Sequence, residues 1–205
     1  MYLVSLFKKS LVPFTLLALT PLFTACGQYA EVHEKHYKIF FNTQNAAILS
    51  EADRLITNFN DNVGFYALEK VGTIGDANST VQFPKGLREN EGKLGYGQWR
   101  VERGHNHAIH RALNKDVTHK VEYSMGLEFD FDFVKSRAGK DFDDPEYIRL
   151  VALFNHEVGH GMQMDHSSDP QSIMYPSIHS SANVESYDFE AFYERVRGFL
   201  TLENE

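Results

Sequence analysis

The run His156-Glu157-Val158-Gly159-His160 constrains the fold more than any other part of this 205-residue chain. Two histidines four residues apart lie on one face of an α-helix, where both imidazoles can reach a single metal ion. The segment Asp144-Pro145-Glu146 supplies a capping side chain, a proline suited to the first helical position and a negative charge near the positive end of the helix dipole. We therefore predict a helix that begins after Asp144 and carries an apolar stripe into the histidine pair. The stripe consists of Tyr147, Leu150, Val151, Phe154 and Val158.

Two histidines do not complete a catalytic zinc site, which takes three protein ligands and keeps a fourth position open. His166 follows His160 by six residues. On a continuing helix it would be rotated by about 240° from His160, so the helix must end and the chain must turn back. We predict that His156, His160 and His166 bind one Zn²⁺, with Asp165 as the nearby rival ligand. Glu157 is predicted to be the general base that takes a proton from the attacking water.

The block from His156 to Ser167, followed by Ser172-Ile173-Met174-Tyr175-Pro176, resembles the metzincin clan of zinc peptidases. Within that clan it is most similar to the matrixins, whose pattern is HExGHxxGxxHS followed by a methionine turn, xMYP. The resemblance implies that Met174 forms an apolar floor under the histidines. It also implies that Tyr175, Pro176 and the residues up to about His179 line the pocket for the side chain after the cleaved bond.

The sequence departs from the family pattern at Gln163. The family usually has glycine there, where the chain leaves the helix in a left-handed conformation. A residue other than glycine in that conformation costs roughly 1 kcal/mol, which a folded domain can absorb. The alternative is that Gly161 makes the break instead, which would change the path of the chain to His166.

The rest of the chain predicts an α+β domain. Residues 45–60 have helical periodicity, the glycine-rich residues 65–135 favour short strands, and residues 121–133 alternate between apolar and polar side chains. A final helix is expected to begin near Ser186. The predicted fold is thus a metzincin-like catalytic domain over 41–205, with an N-terminal helix, a small twisted mixed sheet, the active-site helix, the methionine turn and a C-terminal helix.

The N-terminal residues have the pattern of an export signal. Lys8 and Lys9 precede the uncharged apolar stretch 11–23, which is too short for a membrane span. Residues 22–27 resemble a bacterial lipobox in which Cys26, the only cysteine, would carry the lipid. We predict a lipoprotein signal over 1–25 and a tether over 26–40, with ordinary secretory cleavage as the alternative. The protein would then be anchored at the membrane, at the outer one if the cell has two, or else secreted.

The net charge limits the partners. The formal charge is −8, and removal of Lys8 and Lys9 with the signal leaves 18 basic against 28 acidic residues, or −10. Nucleic-acid binding needs a basic surface, so we exclude it. We expect a monomer whose partner is a protein or peptide substrate and which meets the membrane only through a lipid on Cys26.

Two further groups of residues suggest additional metals. The histidines at 105, 107, 110 and 119 could bind a second Zn²⁺ with Asp116, or could form an ordinary polar loop. Carboxylates that could hold a structural Ca²⁺ are Asp130, Asp132, Asp141, Asp143 and Asp144.

The function predicted from these patterns is zinc-dependent endopeptidase activity on extracytoplasmic proteins. One alternative is a catalytically inactive zinc-binding surface lipoprotein. Glu157 argues against it, because a purely structural site would not need that carboxylate and would be closed by a fourth protein ligand. A second alternative is a structural lipoprotein whose histidines bind nothing.

Overall fold

The computed structural model describes residues 31–104 and 119–201. Within these residues six strands form one mixed sheet. The strands are β1 (Glu31–Glu34), β2 (Tyr37–Asn42), β3 (Leu68–Lys70), β4 (Ser79–Gln82), β5 (Gly95–Gly104) and β6 (His119–Phe129). The helices are α1 (Ala46–Val63), α2 (Leu87–Glu91), α3 (Phe131–Lys135), α4 (Pro145–Gly161) and α5 (Phe189–Thr201), with 3₁₀ turns at Ile74–Asp76 and Ser181–Ser186. The predicted α+β class is therefore confirmed.

Strand β6 organises the sheet. Strand β1 pairs in parallel with residues 119–122 of β6, and β4 pairs in parallel with residues 126–128. Strand β5 runs antiparallel along residues 120–129, so β1 and β4 must share one edge of β6 while β5 occupies the other. Strand β2 continues the sheet beyond β4, and β3 follows β2, both in parallel. The outer edge of β5 pairs with no other strand of the described residues.

The helices begin and end where local chemistry directs them. The Asn45 side chain accepts hydrogen bonds from the first turn of α1, and Gly64 ends that helix with a φ of 76°. The Asp144 side chain accepts a 2.7 Å bond from the Glu146 amide, as predicted for the start of α4. Both helices bury an apolar face.

Aromatic rings join the helices to the sheet in one core. The Phe154 ring of α4 stacks on Phe129 of β6 with 6.0 Å between centroids and meets Phe59 of α1 edge-on at 6.5 Å. Tyr193 of α5 lies 6.1 Å from Phe59. Because α4 is packed on both sides, the histidine motif near its end is held on a rigid support.

Two predicted boundaries are corrected. The predicted tether over 26–40 is wrong from Glu31 onward, because β1 and β2 belong to the sheet and Tyr37 and Ile39 are fully buried. Tyr37, Ile39 and Phe41 are apolar at alternate positions, with Lys38 and Asn42 on the other face, and this partial alternation is the signal of a strand that the prediction missed. The strand predicted over 121–133 ends at Phe129, and the chain bends away as expected. Asp130 caps α3 there by accepting a 2.9 Å bond from the Phe133 amide.

Some predictions concern residues outside the described part of the chain. These are the export signal over 1–25, Cys26, and the histidines at 105, 107 and 110 with Asp116. His119 begins β6, but its side chain is not among those described. No helix of the described residues is long and apolar enough to cross a bilayer.

Candidate active site

Gln163 ends the motif helix. Its φ is 65°, and it is the only described residue other than glycine with a positive φ. The Met164 amide donates a 2.9 Å bond to the Gly159 carbonyl across this turn. Gly161 instead accommodates tight packing, because a Cβ atom there would lie 2.8 Å from the Cβ of Met125. Of the two predicted alternatives, the structure therefore places the helix break at Gln163.

The reversal after Gln163 brings three imidazoles together. The Nε2 atom of His160 lies 3.2 Å from Nε2 of His156 and 3.1 Å from Nε2 of His166. Three nitrogens bound to tetrahedral zinc at their usual bond length would be about 3.3 Å apart. Among the described residues these histidines form the group with metal-ligand spacing, and Asp165 is not part of it. The donor set and its spacing fit one zinc ion.

Backbone carbonyls orient two of these rings. Nδ1 of His156 lies 2.7 Å from the Ile173 carbonyl oxygen, and Nδ1 of His160 lies 2.8 Å from that of Met164. A carbonyl only accepts, so each Nδ1 carries the proton and each Nε2 presents a lone pair to the centre. Burial lowers the pKa of His156 to about 4 and also lowers the pKa of His160. Both effects favour the neutral imidazole that a metal requires.

The methionine turn packs against the motif helix. Met174 is fully buried, and a Cβ atom at Gly159 would lie 2.5 Å from its sulfur. The Met174 carbonyl accepts a 2.8 Å bond from the Ser167 amide, which ties the turn to the segment after His166. Any larger residue at position 159 would require the Met174 side chain to shift.

Glu157 lies between the motif helix and strand β5. Its side chain is 4% exposed, and burial raises its pKa to about 8, with Lys93 acting in the opposite direction. A Cβ atom at Gly95 would lie 2.6 Å from Oε1 of Glu157, and one at Gly97 would lie 2.3 Å from its backbone oxygen. The strand can approach the helix only because these two positions lack side chains.

An open cleft with a volume of about 620 Å³ lies beside the histidines. Of the predicted pocket residues, Tyr175 and Pro176 line it, as do Ser177 and Ile178. His179 lies behind this wall, where its amide donates to the Tyr187 hydroxyl at 2.5 Å. Sequence reasoning missed several lining residues, which are Gly92, Lys93, Leu94, Gly95, Tyr96, Gly97 and Leu153.

Those missed residues carry only a weak sequence signal. Glycines at alternate positions of a strand, as at Gly95 and Gly97, leave one strand face bare and indicate close approach by another element. In the sequence alone these glycines indicate loops and short strands.

Two of the five carboxylates proposed for Ca²⁺, Asp130 and Asp144, have other contacts. The two oxygens of Asp130 accept from the amides of Phe133 and Arg88 at 2.9 and 3.2 Å. Asp144 caps α4 and also accepts from Lys140 at 2.8 Å. No second group of metal-ligand spacing occurs in the described residues.

One comparison with known proteins, a family model, agrees with this geometry. Residues 97–193 match the family described as Matrixin (Peptidase_M10), which is 97 of the 205 residues. No curated protein matches the chain significantly. A solved structure, archaemetzincin from Methanopyrus kandleri, aligns with 86% of this chain and 98% of its own at 14% identity, with a TM-score of 0.38. A likeness this weak does not assign a fold.

The family match over 97–193 and the histidine cluster point to the same class of protein. Together they support a zinc metallopeptidase with a metzincin-like metal site.

Proposed function

We propose that this protein is an endopeptidase in which His156, His160 and His166 hold zinc and Glu157 is the general base. The observation that carries the proposal is the convergence of three Nε2 atoms at the wall of an open cleft, with a buried carboxylate next to them. A zinc ion in this position would supply Lewis-acid activation of water and of the peptide carbonyl.

Glu157 accounts for the proton transfers. Its carboxylate follows His156 directly in the chain and borders the cleft, so it can take the proton of the attacking water and pass it to the leaving amine. One of its carboxylate oxygens, Oε1, lies close to Gly95 of β5, at a position that a side chain there would fill.

The position of strand β5 favours cleavage of internal peptide bonds of a substrate rather than bonds at its ends. Its outer edge pairs with no strand of the described sheet, and its first residues line the cleft. An extended peptide can add to such an edge through backbone hydrogen bonds, which are independent of sequence. A substrate bound in this way continues past the site in both directions.

The decisive variant is Glu157→Ala. We expect the purified wild-type protein to contain about one zinc per chain and to cleave casein in a chelator-sensitive manner. Because Glu157 is not a ligand, the variant should keep its zinc while kcat falls by at least about a hundredfold, the typical contribution of general base catalysis. Metal analysis and casein cleavage of both proteins provide the test. A metal-free wild type would contradict the proposal, and a zinc-loaded wild type that cleaves no peptide would favour the inactive zinc-binding alternative.

We further propose that a lipid on Cys26 attaches the enzyme to a membrane and that it cleaves proteins outside the cytoplasm. The lysines, apolar stretch and lipobox-like residues of 1–27 support this. Incorporation of labelled palmitate into the wild type but not into Cys26→Ser would test it, and equal labelling of both proteins would refute it.

A further inference from the structure

The cleft has an uneven distribution of charge. Among the described residues that line the cleft, Lys93 is the one lysine or arginine, and Glu157 is the one carboxylate. The Glu157 side chain is 4% exposed, whereas that of Lys93 is 52% exposed. Apart from the proposed zinc, the charged group of the described lining residues that a substrate can reach is therefore the Lys93 ammonium.

The backbone around Lys93 holds it at the cleft wall. Gly92 ends α2 in a left-handed conformation with a φ of 68°, and Lys93 follows directly. The Leu94 carbonyl then accepts a 2.9 Å bond from the Asp130 amide. The Lys93 Nζ atom lies 5.4 Å from the ring centre of Tyr96, which also lines the cleft.

The distance from Lys93 to the reacting centre is short. Gly95, two residues further along, is the position at which a Cβ atom would contact the Glu157 carboxylate. Two residues of extended chain span about 7 Å. A side chain of an extended substrate that reaches Lys93 therefore belongs to a residue within about two positions of the cleaved bond.

Glu91, which forms an ion pair with Lys93, would compete only weakly with a substrate carboxylate. Oε2 of Glu91 lies 3.5 Å from Nζ of Lys93, but Glu91 is itself 55% exposed and does not line the cleft. Solvent-exposed pairs of this kind contribute about 0–1 kcal/mol. A substrate carboxylate can replace Glu91 at little cost.

We propose that Lys93 selects a carboxylate of the substrate, so that the enzyme prefers an acidic group within two residues of the scissile bond. This rests on the proposed endopeptidase function. The carboxylate can come from an aspartate or glutamate side chain or from a free C-terminus, and the experiment distinguishes the two.

The test profiles cleavage sites in a peptide library at low ionic strength. The full-length zinc-loaded wild type is compared with Lys93→Met, Lys93→Glu and a control, Lys38→Glu, which changes an exposed lysine of β2 outside the cleft. We expect about two- to fivefold enrichment of acidic residues at one position for the wild type, the range for an exposed ion pair. Lys93→Met should lose the enrichment, Lys93→Glu should favour lysine and arginine there, and Lys38→Glu should match the wild type. Added salt should reduce the preference.

Peptides with amidated C-termini separate the two sources of carboxylate. Internal acidic residues direct cleavage regardless of amidation, whereas a free C-terminus loses its effect when amidated. Zinc content of each variant checks that the site is intact. Cleavage without acidic preference, or a preference that survives in Lys93→Met, would overturn the proposed role of Lys93 but not the endopeptidase function. A zinc-loaded wild type that cleaves nothing would instead overturn the proposed function.

Discussion

Gln163 shows how one residue can carry the strain of a site. Its φ of 65° is the conformation that glycine adopts freely and that other residues adopt at a cost. The turn at this position is what brings His166 back towards His160. The unfavourable backbone conformation therefore occurs at the residue where the chain must reverse direction to form the site.

Replacing Gln163 with glycine should stabilise the protein. The left-handed backbone costs a residue with a Cβ atom about 1–2 kcal/mol, and the greater flexibility of glycine in the unfolded chain offsets about 0.5–1 kcal/mol of that gain. We expect Gln163→Gly to raise the free energy of unfolding in urea by up to about 1 kcal/mol and to keep its zinc. Gln163→Ala, which retains the Cβ atom, should gain nothing. A glycine variant less stable than the alanine variant would show that the Gln163 side chain itself stabilises the turn.

At the scale of elements, α4 holds the wall of the substrate pocket as well as the histidines. Nε of Arg149, a partly buried residue of α4, donates a 2.9 Å bond to the His179 carbonyl. Its Nη1 lies 3.1 Å from Oε1 of Glu146, and Glu146 also binds Arg137. The segment that contains Tyr175 is thereby tied to the same helix as the motif.

Removing this link should loosen the pocket and leave the metal site intact. We expect Arg149→Met to lower kcat/KM about fivefold, mainly through a higher KM, because the lost hydrogen bond contributes about 1 kcal/mol to the position of the wall. The zinc content should not change. Arg195→Met, at an exposed position of α5, is the matched control. An equal effect of both variants, or a loss of zinc in Arg149→Met, would exclude a role in positioning the wall.

At the scale of the whole molecule, the proposed zinc would join the motif helix to the segment that follows its turn. His156 and His160 belong to α4, His166 follows the turn, and the carbonyl that orients His156 comes from Ile173. A metal held by these groups binds the folded chain and not the unfolded one, so it must stabilise the fold.

Zinc removal should therefore lower the melting temperature. With free zinc at a hundred times its dissociation constant, the expected stabilisation is about 2.7 kcal/mol. We expect a chelator to lower Tm by several degrees in the wild type, measured by calorimetry, and to have little effect on His166→Ala. An unchanged Tm in the chelated wild type would indicate that the histidines hold no metal.

The local features of this site could be predicted because each depends on neighbours in sequence. The cap at Asp144, the pairing of His156 with His160 and the need for a turn before His166 all follow from helix geometry over a few residues. The apolar alternation of β6 and its bend at Asp130 are likewise local. The missed strand β2 also has a local signal, because Tyr37, Ile39 and Phe41 are apolar at alternate positions, although Phe40 interrupts the pattern.

Tertiary structure decided the features that join distant segments. Gly95 and Gly97 border Glu157, and Lys93 enters the cleft, only because β5 pairs with β6 in one register and the helix packs on that strand. The protonated ring nitrogens of His156 and His160 depend on carbonyls that any residue could supply. Backbone hydrogen bonds and strand register depend little on which side chains are present, so the sequence does not reveal them. The chemistry of the motif can thus be read from the chain, while the shape and charge of the cleft around it come from the packing of the folded domain.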